Sequence, residues 1–236
     1  MVKARIIETN EGIQDEITVE TFDSFARIMR DKGWLNVDSL LESGLEGGRA
    51  LEIGPGPGYV GLEWLGKQNT GTSLTGLEIS PAMINTARKN AKEYGLDGRT
   101  KYVQGNAMEM PFPDNSFDSA FSNGSLHEWE DPARVFGEIL RVLKPGGRFC
   151  VCDLRRDASP LKKWMIYAMT SPREIRPGFL TSFNAAYTMD EITEILDRAG
   201  LDGYTARREF FGMRITGEKA GAAYSLLNRS PEKGIP

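Results

Sequence analysis

A glycine-rich stretch between residues 50 and 61 constrains the fold more than any other part of this 236-residue sequence. It reads Ala-Leu-Glu-Ile-Gly-Pro-Gly-Pro-Gly-Tyr-Val-Gly, and a second apolar run, from Val60 to Leu65, follows it. This order predicts a strand, a tight turn and a helix, because glycine permits positive φ and close approach of a ligand to the main chain. The first N–H groups of that helix would face the ligand. The stretch therefore predicts a nucleotide-type cofactor loop.

Two glycine spacings in this loop point to two different classes of cofactor. Gly56, Gly58 and Gly61 fit G-x-G-x-x-G, the fingerprint of dinucleotide-binding domains. Gly54, Gly56 and Gly58, with Glu52 two residues ahead, fit E-x-G-x-G-x-G instead. The loop alone leaves both spacings open. A glycine-rich turn that binds no ligand is a third interpretation.

The composition bounds the class of protein. The chain is 40% hydrophobic and 26% charged, which is typical of a globular protein, and its length fits one α/β domain with additions. A net charge of −4 disfavours a nucleic-acid partner. The sequence has no apolar run long enough for a membrane span, no signal-peptide core and too few cysteines for a disulfide framework. We expect a cytoplasmic protein without a membrane span, either monomer or homodimer.

Strand and helix patterns alternate four times after residue 49. The predicted strands are residues 49–53, 73–78, 102–104, 117–121 and 148–152. Two of the intervening helices begin at Ser80-Pro81 and Asp131-Pro132, because serine and aspartate cap helices and proline fits the first helical position. This alternation predicts a parallel sheet with helices on both faces. A capping box at Thr188 predicts a later helix, and residues 204–208 and 210–216 predict a closing antiparallel pair.

Two segments outside this alternation predict a cover for the site. Residues 1–45 read as a polar arm and a helical cap, in which Phe22, Phe25, Ala26 and Met29 share one helix face. Residues 154–187 form an insertion longer than a normal crossover. Its first helix carries one face made of Leu161, Trp164, Met165 and Ala168. We expect residues 46–227 to form the main domain and residues 228–236 a C-terminal tail.

Glu78 stands at the end of the second predicted strand, ~20 residues after the glycine loop, where βαβ cofactor domains place a ribose-binding acid. A carboxylate accepts two hydrogen bonds there, which matches a pair of ribose hydroxyls. The alternative is a solvated charge at a strand end.

Five stretches, in this order, resemble the class I S-adenosylmethionine (SAM)-dependent methyltransferases. The stretches are residues 51–58, 76–80, 105–107 with 111–112, 117–118, and 143–149. Within that family the chain resembles the small-molecule type 11 group, which has ubiquinone/menaquinone-biosynthesis and sterol-type members. The resemblance implies a Rossmann-like, doubly wound seven-stranded α/β fold, mostly parallel with an antiparallel last strand. It also implies SAM as cofactor, S-adenosylhomocysteine (SAH) as product and a small-molecule acceptor.

The resemblance implies roles for five residues around the glycine loop. The backbone at Gly54, Gly56 and Gly58 would contact the methionine part of SAM. Glu52 would hold the amino end of the methionine, directly or through water. Glu78 would accept hydrogen bonds from the ribose hydroxyls.

Five further residues are implied along the next strand ends. Ile79 would pack on adenine, and the main-chain N–H of Ala107 would meet the same ring. Asn106 departs from the family, which usually has aspartate there, but its amide oxygen can accept the same hydrogen bond. Asn123 and Gly124 would pass near the sulfonium.

The one histidine, His127, and its neighbour Glu128 are the candidate catalytic groups. A histidine suits a general base for a hydroxyl or phenol. The alternative is that His127 lies beside the cofactor whatever the substrate, since many relatives have a similar Leu-His. Cys150 and Cys152 share one face of a strand and are interpreted as small buried apolar residues, so no metal site is expected.

Aromatic and polar residues of the cap and insertion form the predicted substrate pocket. They are Phe22, Trp34, Asp153, Trp164, Tyr167, Phe183 and Tyr187. Their character indicates an apolar or aromatic acceptor. Two rivals stay open: a SAM- or SAH-binding protein without activity, and an NAD(P)-dependent oxidoreductase.

Overall fold

One sheet fixes the geometry of the molecule. The computed structural model describes residues 4–6, 12–210 and 212–221. The strands in these residues are β1 (Arg49–Ile53), β2 (Ser73–Glu78), β3 (Thr100–Gln104), β4 (Phe117–Asn123), β5 (Leu143–Leu154), β6 (Tyr204–Arg208) and β7 (Gly212–Glu218). Their order is β3-β2-β1-β4-β5-β7-β6, and β7 is antiparallel to both of its neighbours. The predicted seven-stranded, mostly parallel sheet with an antiparallel last strand is confirmed.

The helices begin where the sequence supplies caps. They are α1 (Glu16–Asp31), α2 (Val37–Glu42), α3 (Tyr59–Gly66), α4 (Pro81–Glu93), α5 (Pro132–Val142), α6 (Pro160–Met169), α7 (Arg176–Ala185) and α8 (Met189–Arg198). Five of them are capped by side chains that accept a backbone N–H, namely Asp15, Ser80, Asp131, Ser159 and Thr188. Within the described part of the chain, no helix is long and apolar enough to pass through a bilayer.

The central strand β1 is buried on both faces of the sheet. Leu51 and Ile53 pack in the cluster that holds Phe136 of α5, whereas Ala50 packs in the cluster that holds Trp64 of α3. Successive side chains of a strand point to opposite faces, so the apolar run satisfies both layers at once. The carboxyl ends of the parallel strands are thereby held side by side, and the loops that follow them lie at one edge of the sheet.

Two elements differ from the sequence-based expectation. Strand β5 begins at Leu143 rather than at residue 148, because Leu143 pairs with Phe117 of β4 across a register shift. Helix α7 lies in the insertion, in a part for which the sequence pattern predicts no helix. It buries only Phe183 and Ala185, so its apolar stripe is too narrow to show as a pattern.

The cap and the arm lie across the carboxyl edge of the sheet. The ring of Phe25 on α1 lies 6.4 Å from that of Phe179 on α7. In the arm, Arg5 donates to the carbonyl oxygens of Ala185 at 2.6 Å and of His127 at 2.8 Å. The predicted boundaries at residues 45 and 227 stay predictions, and the predicted tail lies outside the described residues.

Candidate functional site

The loops after β1, β2, β3 and β4 and the end of β5 surround a cavity of about 850 Å³. Ligands of parallel α/β sheets bind at this edge, outside the carboxyl ends of the strands. Helices α1, α6 and α7 contribute lining residues from the other side. The volume falls within the range of roughly 300–1,000 Å³ that ligand pockets occupy.

The glycine loop bends tightly because three of its glycines have positive φ. The φ values are 65° at Gly54, 52° at Gly56 and 87° at Gly58. A Cβ added at Gly54 would lie 2.7 Å from Cβ of Ser125, so the loop also packs too closely there for a side chain. Gly54 and Gly56 line the cavity and bring main chain to its surface.

Glu78 turns a buried carboxylate toward this loop. Its Oε2 accepts from the N–H of Gly56 and its Oε1 from the N–H of Ser80, each at 3.0 Å. Burial raises the pKa of Glu78, and these N–H groups oppose the rise. Because a carboxylate offers about four acceptor sites, and the N–H of Ile79 also contributes, acceptor capacity remains for a ligand in the cavity that Glu78 lines.

The other residues predicted for the cofactor lie along the same wall. Ile79, Asn106, Ala107, Asn123 and Gly124 all line the cavity. The side-chain oxygen of Asn106 accepts from the N–H of Met108 at 2.8 Å, which fixes the turn after β3. An amide oxygen has a second lone pair, so it can still accept from a ligand.

Two residues predicted for the cofactor do not line the cavity. Gly58 is the N-cap of α3, and a Cβ there would meet Tyr102 and Ala87 instead. Glu52 is buried beneath the loop, where a Cβ added at Gly61 would lie 2.0 Å from its Oε2. Burial raises the pKa of Glu52 to about 8. The charge of Glu78 adds to this rise, whereas the hydrogen bond from the N–H of Gly61 opposes it.

His127 and Asp153 form a buried pair at the cavity. His127 lies in a 3₁₀ turn, Leu126–Glu128, just after β4, and Asp153 lies near the end of β5. Nδ1 of His127 lies 3.0 Å from both carboxylate oxygens of Asp153. The main-chain N–H of His127 donates to Oδ2 of Asp153 at 2.6 Å. A carboxylate at Nδ1 holds the proton on that nitrogen in the neutral ring, which leaves Nε2 as the basic atom.

The rest of the cavity is mostly apolar. Phe22 and Trp34, both predicted for the pocket, line it, and Glu128 lines it beside His127. Further apolar lining comes from Phe25, Met29, Ile166, Met169, Phe179, Phe210 and Met213. The arrangement joins a polar wall at the strand ends to an apolar chamber under α1, α6 and α7.

Four residues predicted for the substrate pocket do not line the cavity. Trp164 is turned outward on α6, and Tyr167 lies under the guanidinium of Arg176, 5.2 Å from it. Phe183 is buried against Phe179 with ring centroids 5.2 Å apart. Tyr187 is buried and its hydroxyl donates to the carbonyl of Trp129 at 3.0 Å. Aromatic character alone did not distinguish lining from packing.

Sequence reasoning missed several lining residues on other segments. Phe210 and Met213 flank the turn between β6 and β7, and Gly12 and Ile13 come from the arm. The antiparallel pair was predicted, but nothing local in it signals that its turn reaches the cavity. Ser80 Oγ donates to the carbonyl of Ile13 at 2.5 Å, which holds the arm at the end of β2.

Cys150 and Cys152 are buried in the sheet, with their Sγ atoms 3.7 Å apart. No group of three histidine, cysteine or acidic side chains suited to a metal occurs among the residues that the structure describes.

Comparison with known proteins identifies the family. Residues 51–151 match the family model of the methyltransferase domain. The 27-O-demethylrifamycin SV methyltransferase of Amycolatopsis mediterranei is 31% identical over 160 residues, which cover 68% of this chain and 56% of that protein. The ubiquinone/menaquinone biosynthesis C-methyltransferase of Proteus mirabilis is 31% identical over 116 residues, 49% of this chain and 46% of that protein.

The fold comparison agrees. A SAM-dependent methyltransferase of Aquifex aeolicus superposes with a TM-score of 0.65 at 20% identity, covering 88% of this chain and 100% of that one. The chain belongs to the class I SAM-dependent methyltransferases. SAM is therefore its cofactor, and the interpretation of the loop as a dinucleotide site is set aside. The chain spans 28% of the length of one curated relative and 56% of another.

The residues that line the cavity of this methyltransferase are chemically suited to the parts of SAM. The glycine main chain at the cavity surface suits the polar end of an amino acid, and Glu78 keeps acceptor sites for hydroxyl donors. The side-chain oxygen of Asn106 and the apolar side chain of Ile79 lie along the same wall and suit a heterocycle that donates from its edge.

We expect Glu52→Gln to change how the stability of this methyltransferase depends on pH. The carboxyl loses its proton near its ordinary value of 4.5 in the unfolded chain and near about 8 in the folded one. The free energy of unfolding therefore falls as the pH rises between these values, because the folded state holds the proton longer. Glutamine has no such proton, so the stability of the variant relative to wild type should rise across this window.

Chemical denaturation without SAM, at several pH values between about 5 and 8, measures this difference. The exposed Glu46→Gln is the matched control and should follow wild type. Parallel pH profiles for Glu52→Gln and wild type would contradict the burial of an ionisable carboxyl beneath the loop.

Proposed function

We propose that this protein transfers a methyl group from SAM to a small-molecule acceptor with an apolar or aromatic body. The observation that carries the proposal is the single cavity that joins the glycine loop to an apolar chamber. A cofactor held at the strand ends and an acceptor held under the helices would share this space. Catalysis then consists largely of alignment in a site that excludes water.

Each residue of the polar wall at the strand ends is assigned to the part of SAM that its chemistry suits. The main chain at Gly54 and Gly56 receives the methionine part of SAM, and Glu78 receives the ribose hydroxyls. Ile79, Asn106 and Ala107 receive the adenine, while Asn123 and Gly124 lie where the wall meets the chamber. Neither Glu52 nor Gly58 lines the cavity, so both are left out of this assignment.

Two properties of the chamber favour an apolar acceptor. Phenylalanine, methionine, isoleucine and tryptophan side chains dominate its lining, and transfer of apolar surface from water into such a space is favourable. The relatives carry names that include demethylrifamycin SV and ubiquinone/menaquinone. We infer an acceptor of comparable apolar character for this chain.

The His127–Asp153 pair suits an acceptor that must lose a proton. The cofactor SAM, when bound, would supply a methyl group already activated on its sulfonium for transfer to the acceptor's nucleophilic atom, with SAH as the leaving group. Nε2 of His127 takes the proton from the acceptor hydroxyl as that oxygen attacks. The carboxylate of Asp153, 3.0 Å from Nδ1, stabilises the imidazolium that results. The proton then passes to solvent after product release.

The proposed reaction is tested with methyl-labelled SAM and a panel of acceptors. The panel holds apolar phenols and hydroquinones, lipid-like alcohols, and small polar amines and carboxylates. We expect label in apolar acceptors, because the chamber desolvates them favourably. Turnover with the polar group alone would contradict the apolar acceptor. SAM and SAH binding without turnover on any member would favour a binding protein without activity.

We expect Glu78→Ala to weaken SAM binding by about 1–3 kcal/mol, roughly 5- to 150-fold in Kd, because it removes the ribose acceptor and leaves buried N–H groups unpaired. Isothermal titration with SAM and SAH measures the change. Glu46→Ala, at an exposed position away from the cavity, is the control and should bind as wild type does. An unchanged Kd in Glu78→Ala would refute the ribose assignment.

We expect His127→Gln and Asp153→Asn to lower kcat for a hydroxyl acceptor by about 10²–10⁴-fold and leave the Kd for SAM within a few-fold. The loss should shrink for acceptors that are already ionised at the assay pH, since these need no base. Glu128→Gln, in the same turn, tests the other candidate. If Glu128→Gln loses activity while His127→Gln keeps it, the base assignment is wrong.

A further inference from the structure

Helix α6 carries an apolar face that is exposed. Leu161 and Trp164 are each 66% exposed, and Ala168, on the same face, is exposed as well. Residues three and four apart lie on one side of a helix, so these side chains form a continuous stripe. No residue of α6 is buried. Large apolar side chains held together in water mark an interaction surface.

The exposed stripe continues into the mouth of the cavity. Trp34, Met169 and Phe210 line the cavity, yet they are 43%, 46% and 59% exposed. These three side chains therefore form a rim that faces the cavity on one side and solvent on the other. Lys162 of α6 lies over Phe210, which places the stripe beside the rim. We name the exposed side chains of Trp34, Leu161, Trp164, Met169 and Phe210 the rim surface.

Basic residues accompany the rim surface in a chain that is acidic as a whole. Residues 160–176 hold four basic residues and one acid, whereas the net charge of the chain is −4. Nζ of Lys162 lies 4.2 Å from the ring centroid of Phe210, and Nζ of Lys32 lies 4.5 Å from that of Trp34. A nearby acid, Glu209, pairs with Arg214 at 2.9 Å, and the same guanidinium also pairs with Glu42 at 3.2 Å. Two lysines thus lie beside exposed aromatic rings of the rim surface.

We propose that the rim surface docks on an anionic lipid bilayer and that an apolar acceptor enters the cavity from that bilayer. Tryptophan and lysine suit the lipid–water interface, because each combines an apolar body with a polar or charged end. A helix with an apolar stripe flanked by lysines lies in the interface plane, and anionic headgroups strengthen its binding. The entry route rests on the proposed function, whereas docking itself does not.

Charge favours a bilayer over the other occupants of this surface. A second copy of the chain would bring two basic segments together, and like charges at an interface repel. Residues 222–236 hold two basic residues and one acid, so they offer no complementary charge. A bilayer offers an apolar interior for the side chains of the rim surface. Its anionic headgroups offer negative charge for the lysines beside them.

Docking is tested by vesicle flotation of the full chain without SAM or acceptor, so that failure of the proposed reaction cannot affect the result. The vesicles are phosphatidylcholine alone and phosphatidylcholine mixed with phosphatidylglycerol. We expect binding to the mixed vesicles, weaker binding to the neutral ones, and a decline with added salt because salt screens the headgroup charge. Tryptophan emission should shift to shorter wavelength on binding, since Trp34 and Trp164 leave water.

Paired variants separate the apolar and the charged contributions. Leu161→Ser with Trp164→Ser should lower the partition coefficient by roughly tenfold or more, because two exposed apolar side chains no longer enter the lipid. Lys162→Gln should lower binding to the mixed vesicles and leave binding to the neutral ones unchanged. Lys101→Gln, on the exposed edge strand β3, is the matched charge control and should bind as wild type does. Thermal unfolding checks that the variants are folded.

Three outcomes would overturn the proposal. Wild type that binds neither kind of vesicle would mean that another part of the chain covers the rim surface. Vesicle binding that is unchanged in the Leu161→Ser, Trp164→Ser variant would place the contact elsewhere. A wild-type dimer that becomes a monomer in this variant, measured by sedimentation, would assign the surface to a second copy.

Discussion

The carboxylate of Glu78 joins two strand ends that would otherwise be linked only by the sheet. It accepts hydrogen bonds from the main-chain N–H of Gly56, in the loop after β1, and of Ser80, at the start of α4. One buried group therefore fixes both turns. A buried carboxylate is costly unless donors surround it, and here the donors are main-chain N–H groups whose positions the sheet determines. The cofactor wall depends on this interaction, because Gly54, Gly56 and Ile79 all lie within the two turns.

The part of the fold that the sequence predicts is the part that local signals specify. Ser80, Asp131 and Thr188 each cap a helix as expected, because a cap is decided by its neighbours in the chain. The sequence pattern does not indicate helix α7, because the helix buries only two side chains and so has no clear apolar period. The outward stripe of α6 has helical spacing, but spacing tells only which side chains share a face. It does not tell whether the face meets protein or solvent.

The residues of the site show the same difference between local signals and tertiary contacts. The residues assigned to the cofactor cluster at strand ends, and all but Glu52 and Gly58 reach the cavity. The pocket residues come from separate segments, and Trp164, Tyr167, Phe183 and Tyr187 point elsewhere, since the packing of α6 and α7 is set by tertiary contacts. The pairing of His127 with Asp153 joins the turn after β4 to the next strand. Both residues were named from the sequence, but their contact depends on the register of β4 and β5.

The pair at His127 also makes the molecule easy to observe. The sequence contains one histidine, and that histidine lies in the cavity between the polar wall and the apolar chamber. A proton NMR spectrum therefore holds a single imidazole, whose ring resonances need no assignment by mutagenesis. The chemical shifts of this ring report on the environment of the cavity that His127 lines. Ligands that enter either half of the cavity reveal themselves through the same two signals.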